Sequence, residues 1–511
     1  MTTNMARSGA ICALVLAGCV ADADPPSVAA GAETLQATSS GPGCRTFTVH
    51  GKGTRFGITS TGIVSQPLDL SADSFATYSP SHGTLVREAG AGQADGTFTV
   101  PVCAGARSWE LETRLFGTPY LAVGDAREPD VSQRVLGRLD GVLPTVETDV
   151  SLDVTGLRPW VDGDTTQIVV ANNGAVVFSP ELELARPPVA GDTSISGQVI
   201  DWMAQFPAAP LVEAAKGDVA VISQLVARTS GRESYVGLER SGTARGFSQT
   251  DGVASTLAVA TSAVRQHSLT LHWRGSAFER LRAEVGAGAV DAPGGQGVFI
   301  DALPDAARFG FYTTSPDLML YTPSAAPANL DATVAFGNPY STMGKSWDEY
   351  AIIQFLFAAP VQLGTAAPYN EFVGYNANLS LAELHDGVVT PRISPVRNVR
   401  IAGRDLGSPQ TGVGMSPTVR WEAPATGRAT QYVVVVRSVT ATQATTSATS
   451  VARFVTKDTS LRIPSTYLAS GGTFLLSLTA VDFGDVDRTQ ALFGDGLPFQ
   501  SASSITSTFS P

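Results

Sequence analysis

The residues able to do chemistry in this chain are few and far apart. The five histidines, His50, His82, His267, His272 and His385, lie on distant segments. There is no Gly-x-Ser-x-Gly elbow, no Ser-x-x-Lys set and no His-Glu-x-x-His run, so no local motif supplies an activated nucleophile or a zinc pair. His272 precedes Trp273 on the alternating run Ser268–Trp273, with Glu279 close behind. A His–Glu pair could do acid–base work, but alternation makes His272 one face of an ordinary strand. Carboxylates gather at Asp162-Gly163-Asp164 and at Asp482, Asp485 and Asp487. Oxygen-rich loops of that kind can hold Ca²⁺, yet neither has the EF-hand glutamate at its twelfth position. They read as solvated turns whose Asp side chains bond their own backbone. If a metal binds, Asp485 and Asp487 are its expected ligands.

Gly294-Gly295-Gln296-Gly297 lacks the following Lys-Ser/Thr of a phosphate cradle and reads as a plain loop. Of the six tryptophans, Trp109, Trp273 and Trp421 sit on alternating runs and are expected in the core. Trp160, Trp202 and Trp347 stand beside turn signals and are the candidates for exposed ligand contacts, as on a polysaccharide. No residue is expected to be catalytic, and no cofactor is expected.

The elements that must position these residues are strands. Charged residues make up only 16% of the 511, against 43% hydrophobic, with 51 Gly and 31 Pro. That balance suits many short strands joined by tight turns, and the length allows several cores. A net charge of −12 argues against a nucleic-acid partner, which needs a basic face to displace counterions. The fold class expected is all-β, with tandem β-sandwiches.

Local patterns place the strands. Asp95-Gly96 feeds the alternating Thr97–Val100, and Thr166–Phe178 folds around Asn173-Gly174, both strong hairpin signals. Asp218–Ala227 and Tyr350–Phe357 read as further strands. Ser276-Ala277-Phe278-Glu279 has the form of a capping box. It opens a short helix carrying Phe278, Leu281 and Val285 and stopped by Gly286. A second helical turn is expected near Val199–Gln205.

The first nineteen residues pair Arg7 with the apolar run Gly9–Ala17 and end Leu16-Ala17-Gly18-Cys19. The run is a secretory signal by charge and length, and its ending resembles the lipobox of bacterial lipoproteins. The resemblance implies cleavage before Cys19, acylation of that residue and attachment to a membrane. The absence of Asp after Cys19 leans towards the outer membrane. Residues 20–43, rich in Ala, Ser, Pro, Gly and Thr, read as a tether with a reach of roughly 25–30 Å. Cys12 would leave with the signal. Cys44 and Cys103 then remain in an oxidising compartment and are expected to pair. Closing that loop would stabilise the fold by roughly 4 kcal/mol.

Cys44–Val49 opens a segment running to about Leu115. Its Asp95-Gly96-Thr97-Phe98-Thr99-Val100-Pro101, followed by Gly105 and Trp109-Glu110-Leu111, resembles the carboxypeptidase regulatory-like sandwich, a passive accessory in that family. At the other end, Pro395–Val399, Val419–Pro424, Tyr432–Val436, Leu461–Pro464 and Phe474–Ala480 resemble strands A, B, C, E and F of a fibronectin type III domain. That resemblance implies a spacer or contact module with Trp421 and Tyr432 packed between its sheets. Phe474 stands where the family has the corner tyrosine, so that hydrogen bond is lost. The organisation expected is 1–18 signal, 19–43 tether, 44–115 first sandwich, 116–390 central β-rich region with a division near 260, and 391–511 last sandwich. The expected function is a non-enzymatic envelope lipoprotein that binds, adheres or supports, with a surface polysaccharide or protein as partner. The alternative is an extracytoplasmic hydrolase of polysaccharide or peptide. It would need two carboxylates about 5–9.5 Å apart in a cleft within 116–390.

Overall fold

The computed structural model describes residues 46–511 apart from 60–61, 82, 116, 173–174, 179–183, 207–208, 305–314, 325–327, 344–346 and 495. Cys19, the tether, Cys44 and His82 lie outside the described residues. The fold is all-β, as composition requires, with only short helical turns between strands. Among the described residues one hydrogen-bonded ladder passes through 19 strands, accompanied by four smaller sheets of three or four.

At its centre the strand Trp347–Val361 pairs with Val290–Pro304 on one side and Tyr369–Ser380 on the other. Its sequence is a nearly unbroken apolar run, and almost every residue is buried. That is the pattern of a strand covered on both faces. A small sheet, Gln266–Arg274 against Asn329–Gly337, sends Leu271, Trp273, Val334 and Phe336 into the same core as Ile353 and Phe355. Their alternate neighbours Ser268 and Thr270 face water. Trp273, Phe278 and Phe355 stack with ring centroids 5.0 to 5.8 Å apart.

The ladder carries this core to both ends of the described chain. Tyr369–Ser380 pairs with the last strand, Phe499–Ile505. Tyr120–Gly124 lies parallel to Thr446–Thr456, with Tyr120 opposite Arg453 and Val123 opposite Thr456. The core holding Val100, Trp109 and Leu111 therefore also holds Val455 and Leu492. Residues before 116 and after 391 share one sheet.

Local expectations fare unevenly. Asp95 Oδ1 accepts from Thr97 N and Oγ1 at 3.0 and 2.7 Å, Gly96 adopts φ 84°, and the strand Thr97–Cys103 follows. Thr165–Ala171 and Ala175–Phe178 pair as the hairpin reading requires. Trp109, Trp273 and Trp421 are all buried, and Trp421 packs edge-on to Tyr432 at 5.4 Å. The capping box does not form. Ser276 N and Oγ both contact Asn329 Oδ1, Glu279 pairs with Arg282, and the helix breaks into Gly275–Glu279 and Arg282–Val285. A side chain 53 positions away outcompetes the local cap. The second turn is shorter than expected, Trp202–Gln205, because Val199 to Asp201 stay in the preceding strand.

Candidate functional site

The three expected aromatic contact residues are dispersed. Trp160 is half-buried. Trp202 is fully buried and stacks on Phe206 at 4.0 Å, and Trp347, 7% exposed, stacks on Tyr340 at 5.2 Å. The expected exposure of these two is thus corrected. Asp201 Oδ1 caps Met203 N at 3.0 Å, which turns the backbone while Trp202 enters a core with Val150, Ile200 and Leu257. A turn signal reports the path of the backbone, not the direction of the ring beside it.

Asp485 is exposed. Asp487 spends its carboxylate internally: Oδ1 accepts from Thr489 N and Oγ1 at 2.9 and 2.6 Å, and Oδ2 pairs with Lys457. Burial works to raise its pKa, but these partners outweigh it and the value falls below the usual range. Asp164 is likewise committed, accepting from Val161 N, Gln224 Nε2 and Ala227 N. His272 Nδ1 lies 2.7 Å from Asp331 Oδ1, which Arg274 also contacts at 3.0 Å, so its partner is not Glu279. Cys103, 2% exposed, stands opposite Thr46, two residues beyond Cys44.

Two carboxylate pairs that sequence reasoning passed over are instead brought together. The first lies on the strand Trp109–Thr113. Trp109 and Leu111 point into the first core, so Glu110 and Glu112 share the opposite face. That face meets the C-terminal segment. Glu112 is fully buried and accepts from Tyr78 OH at 2.9 Å, Arg114 Nε at 3.0 Å and Tyr467 OH, with Arg87 3.7 Å away. Tyr78 OH also meets Thr466 Oγ1 at 3.1 Å. Burial acts to raise the Glu112 pKa, but the phenols and Arg114 prevail and hold it below the usual range. Glu110 has the opposite balance. Burial pushes it well above the usual carboxyl value, opposed only by the field of Arg462, and its Oε2 has no hydrogen-bond partner.

One protonated acid beside one carboxylate is the split that acid–base sites use. Here exposures of 4% and 0% close the pair to any substrate. What it can do is clamp Tyr78 and Tyr467, from opposite ends of the chain, onto one anion.

The second pair belongs to the central ladder. In Val298-Phe299-Ile300-Asp301-Ala302-Leu303, Val298, Ile300 and Ala302 enter the main core, and Asp301 takes the other face. An irregularity in register after Ile300 sets Asp301 opposite Asp317, while Tyr350 flanks it on the far strand. Ser315 Oγ donates to Asp301 Oδ2, and the Asp317 carboxyl also hydrogen-bonds Asp301. Burial raises the Asp301 pKa to about 7, against the lowering effect of these two partners. Gln167 fixes the Asp317 backbone, donating Nε2 to its O at 2.8 Å and accepting from its N at 3.1 Å. Ile58, Leu303 and Tyr350 pack together on the same face as Asp301. The sequence did carry a signal for this pair, a lone acid inside an apolar strand run.

These aspartates stand opposite each other on paired strands, with Asp301 only 4% exposed. At the other end of the strand Val290–Pro304, a shallow depression lined by Glu279, Arg282, Ala283 and Gly286–Ala289 offers an Arg282 already bound to Glu279 and Asp291.

No family model matches the chain, and no curated protein matches it. Among solved structures it has a slight likeness to a leucine-rich repeat protein from Bacteroides thetaiotaomicron, at 10% identity and a TM-score of 0.11. The likeness covers 48% of this chain and 30% of that one, too faint to bear on fold or activity.

Proposed function

We propose that this chain is a non-enzymatic lipoprotein, held to the outer membrane through Cys19 and the 20–43 tether, that works by binding or structural contact. The observation that carries the reading is how its buried and half-buried acids are used. Glu112, Asp164 and Asp487 all spend their oxygens on internal donors, so the charged groups serve architecture. The shared sheet supports it too, since a body whose two ends are hydrogen-bonded together suits load or contact. Within this proposal, 44–115 is a carboxypeptidase regulatory-like sandwich and 391–511 a fibronectin type III-like one. Cys44 pairs with Cys103, and Trp160 is the remaining aromatic contact candidate.

Radiolabelled palmitate tests the anchor: incorporation is expected in the wild type and lost in Cys19→Ser. A glycan and protein array on the chain from residue 27 onward tests the contact role. Binding that weakens in Trp160→Ala supports it. Hydrolysis of an arrayed sugar or peptide would replace it with the hydrolase reading. The intact mass should rise by two hydrogen atoms when a thiol reductant opens the bond, if Cys44 and Cys103 are joined.

A further inference from the structure

One of the small sheets is built from Arg404–Asp405, Arg397–Ile401, Thr418–Glu422 and Ser460–Arg462, in that order. Ile401, Val419, Trp421 and Leu461 point into the main core, so Arg400 and Arg420 share the opposite, exposed face. Register sets these two arginines directly opposite each other. Facing residues of an antiparallel pair have Cβ atoms about 5 Å apart, and like charges placed there are destabilising.

The neighbouring acids are engaged elsewhere. An extra residue in the strand Arg397–Ile401, where Asn398 takes φ 51°, brings Arg397 opposite Glu422, and those two pair at 3.6 Å. Asp405 stands opposite Arg400 from the edge strand, but its Oδ1 accepts from Gly407 N at 2.9 Å. Arg462, opposite Thr418 on the same face, sends its guanidinium to Ser416 and to Gly83 O. Arg400 and Arg420 have no ion pair or side-chain hydrogen bond among the described residues. In a chain of net charge −12, an uncompensated basic pair runs against the composition.

Two guanidinium forks side by side suit carboxylates, which arginine binds through two parallel hydrogen bonds. The rest of the face indicates what carries the carboxylates. Ser460 lies opposite Arg420 and Thr418 opposite Arg462, so hydroxyls flank the arginines, and these four strands expose no apolar side chain. A protein partner would want an apolar anchor at the centre of its interface, and a bilayer would want apolar side chains to enter it. A hydroxyl-rich polymer bearing carboxylates needs neither.

We propose that Arg400 and Arg420 form a binding site for an acidic polysaccharide, clasping its uronate carboxylates, with Ser460 and Thr418 beside them for the sugar hydroxyls. The site names a partner class within the contact role proposed above and rests on that role, but not on the lipid anchor.

The test measures retention on immobilised polygalacturonate of the chain from residue 27 onward, which keeps every described residue. Retention is expected at low salt and should vanish at about 1 M, where the screening length falls to about 3 Å. The double variant Arg400→Gln/Arg420→Gln should weaken retention at least tenfold. Arg55→Gln/Arg232→Gln removes the same charge at two exposed arginines elsewhere and should leave it within about twofold. The Arg400/Arg420 variant should also keep or raise its thermal midpoint, since it removes a repulsion. No retention at low salt overturns the proposal, and so does equal weakening in the two double variants. A midpoint lowered by more than about 3 °C in the Arg400/Arg420 variant assigns the arginines to the fold and overturns it too. Retention on neutral dextran but not on polygalacturonate removes this site while the contact role stands. Binding to phosphatidylglycerol vesicles but not to the polymer gives the arginines to a lipid surface and likewise overturns the proposal.

Discussion

The two buried acid pairs of this protein solve one problem in different ways. Glu110 and Glu112 lie where the two ends of the chain meet. There the neighbouring strands bring phenols and guanidinium groups to Glu112 and leave Glu110 to the field of Arg462 alone. Asp301 and Asp317 lie in the middle of a ladder and have a hydroxyl and each other. A seam between units can recruit donors from both sides. The interior of a sheet has only what the adjacent strands present. The seam can therefore hold Glu112 below the usual carboxyl range, while in the sheet burial prevails and pushes Asp301 up to about 7.

The largest expected effect comes from breaking the seam at its anion. Glu112→Ala leaves Tyr78 and Tyr467 without their shared acceptor and should cost about 3–5 kcal/mol, read from urea unfolding. Tyr467→Phe removes one charge-assisted bond and should cost about 1.5–3 kcal/mol. In the double variant the two losses should fall well short of adding, because both act on one network.

Glu110 sharpens the comparison through pH. Its folded pKa is raised, so its favourable contribution is complete below the ordinary carboxyl range and is lost as pH rises through the folded value. Glu110→Gln cannot ionise. It should therefore match the wild type most closely near pH 4 and gain relative stability towards pH 8. Urea midpoints across that range check the sign, and a constant offset between the two proteins would refute it.

The smallest effect is expected at the exposed pair His272–Asp331. Losing it in His272→Ala should move stability by no more than about 1 kcal/mol, as for other solvent-exposed pairs. A loss as large as that of Glu112→Ala would mean that burial is not what separates the two kinds of site.

What could be read from the chain follows the range of the forces involved. The strand Thr97–Cys103, the hairpin at 165–178 and the burial of Trp109, Trp273 and Trp421 were legible because alternation and Asp-Gly or Asn-Gly turns act within a few residues. The helix at 275–285 was misjudged because Asn329 reaches across from another strand to take Ser276. Trp202 and Trp347 were misplaced because ring direction depends on partners such as Phe206 and Tyr340. Nothing local announced that Tyr120 would lie opposite Arg453. Asp301 differs from these cases: an acid between Ile300 and Ala302 was visible, but its partner Asp317 emerges only once the strands are in register.

The parallel pairing of Tyr120–Gly124 with Thr446–Thr456 also governs the order in which this polypeptide can be completed. The segment around Tyr120 leaves the ribosome long before its neighbour exists, and its backbone amides must wait. Any copy cut short before Thr446 would keep that edge bare, a template on which further truncated chains could line up and aggregate.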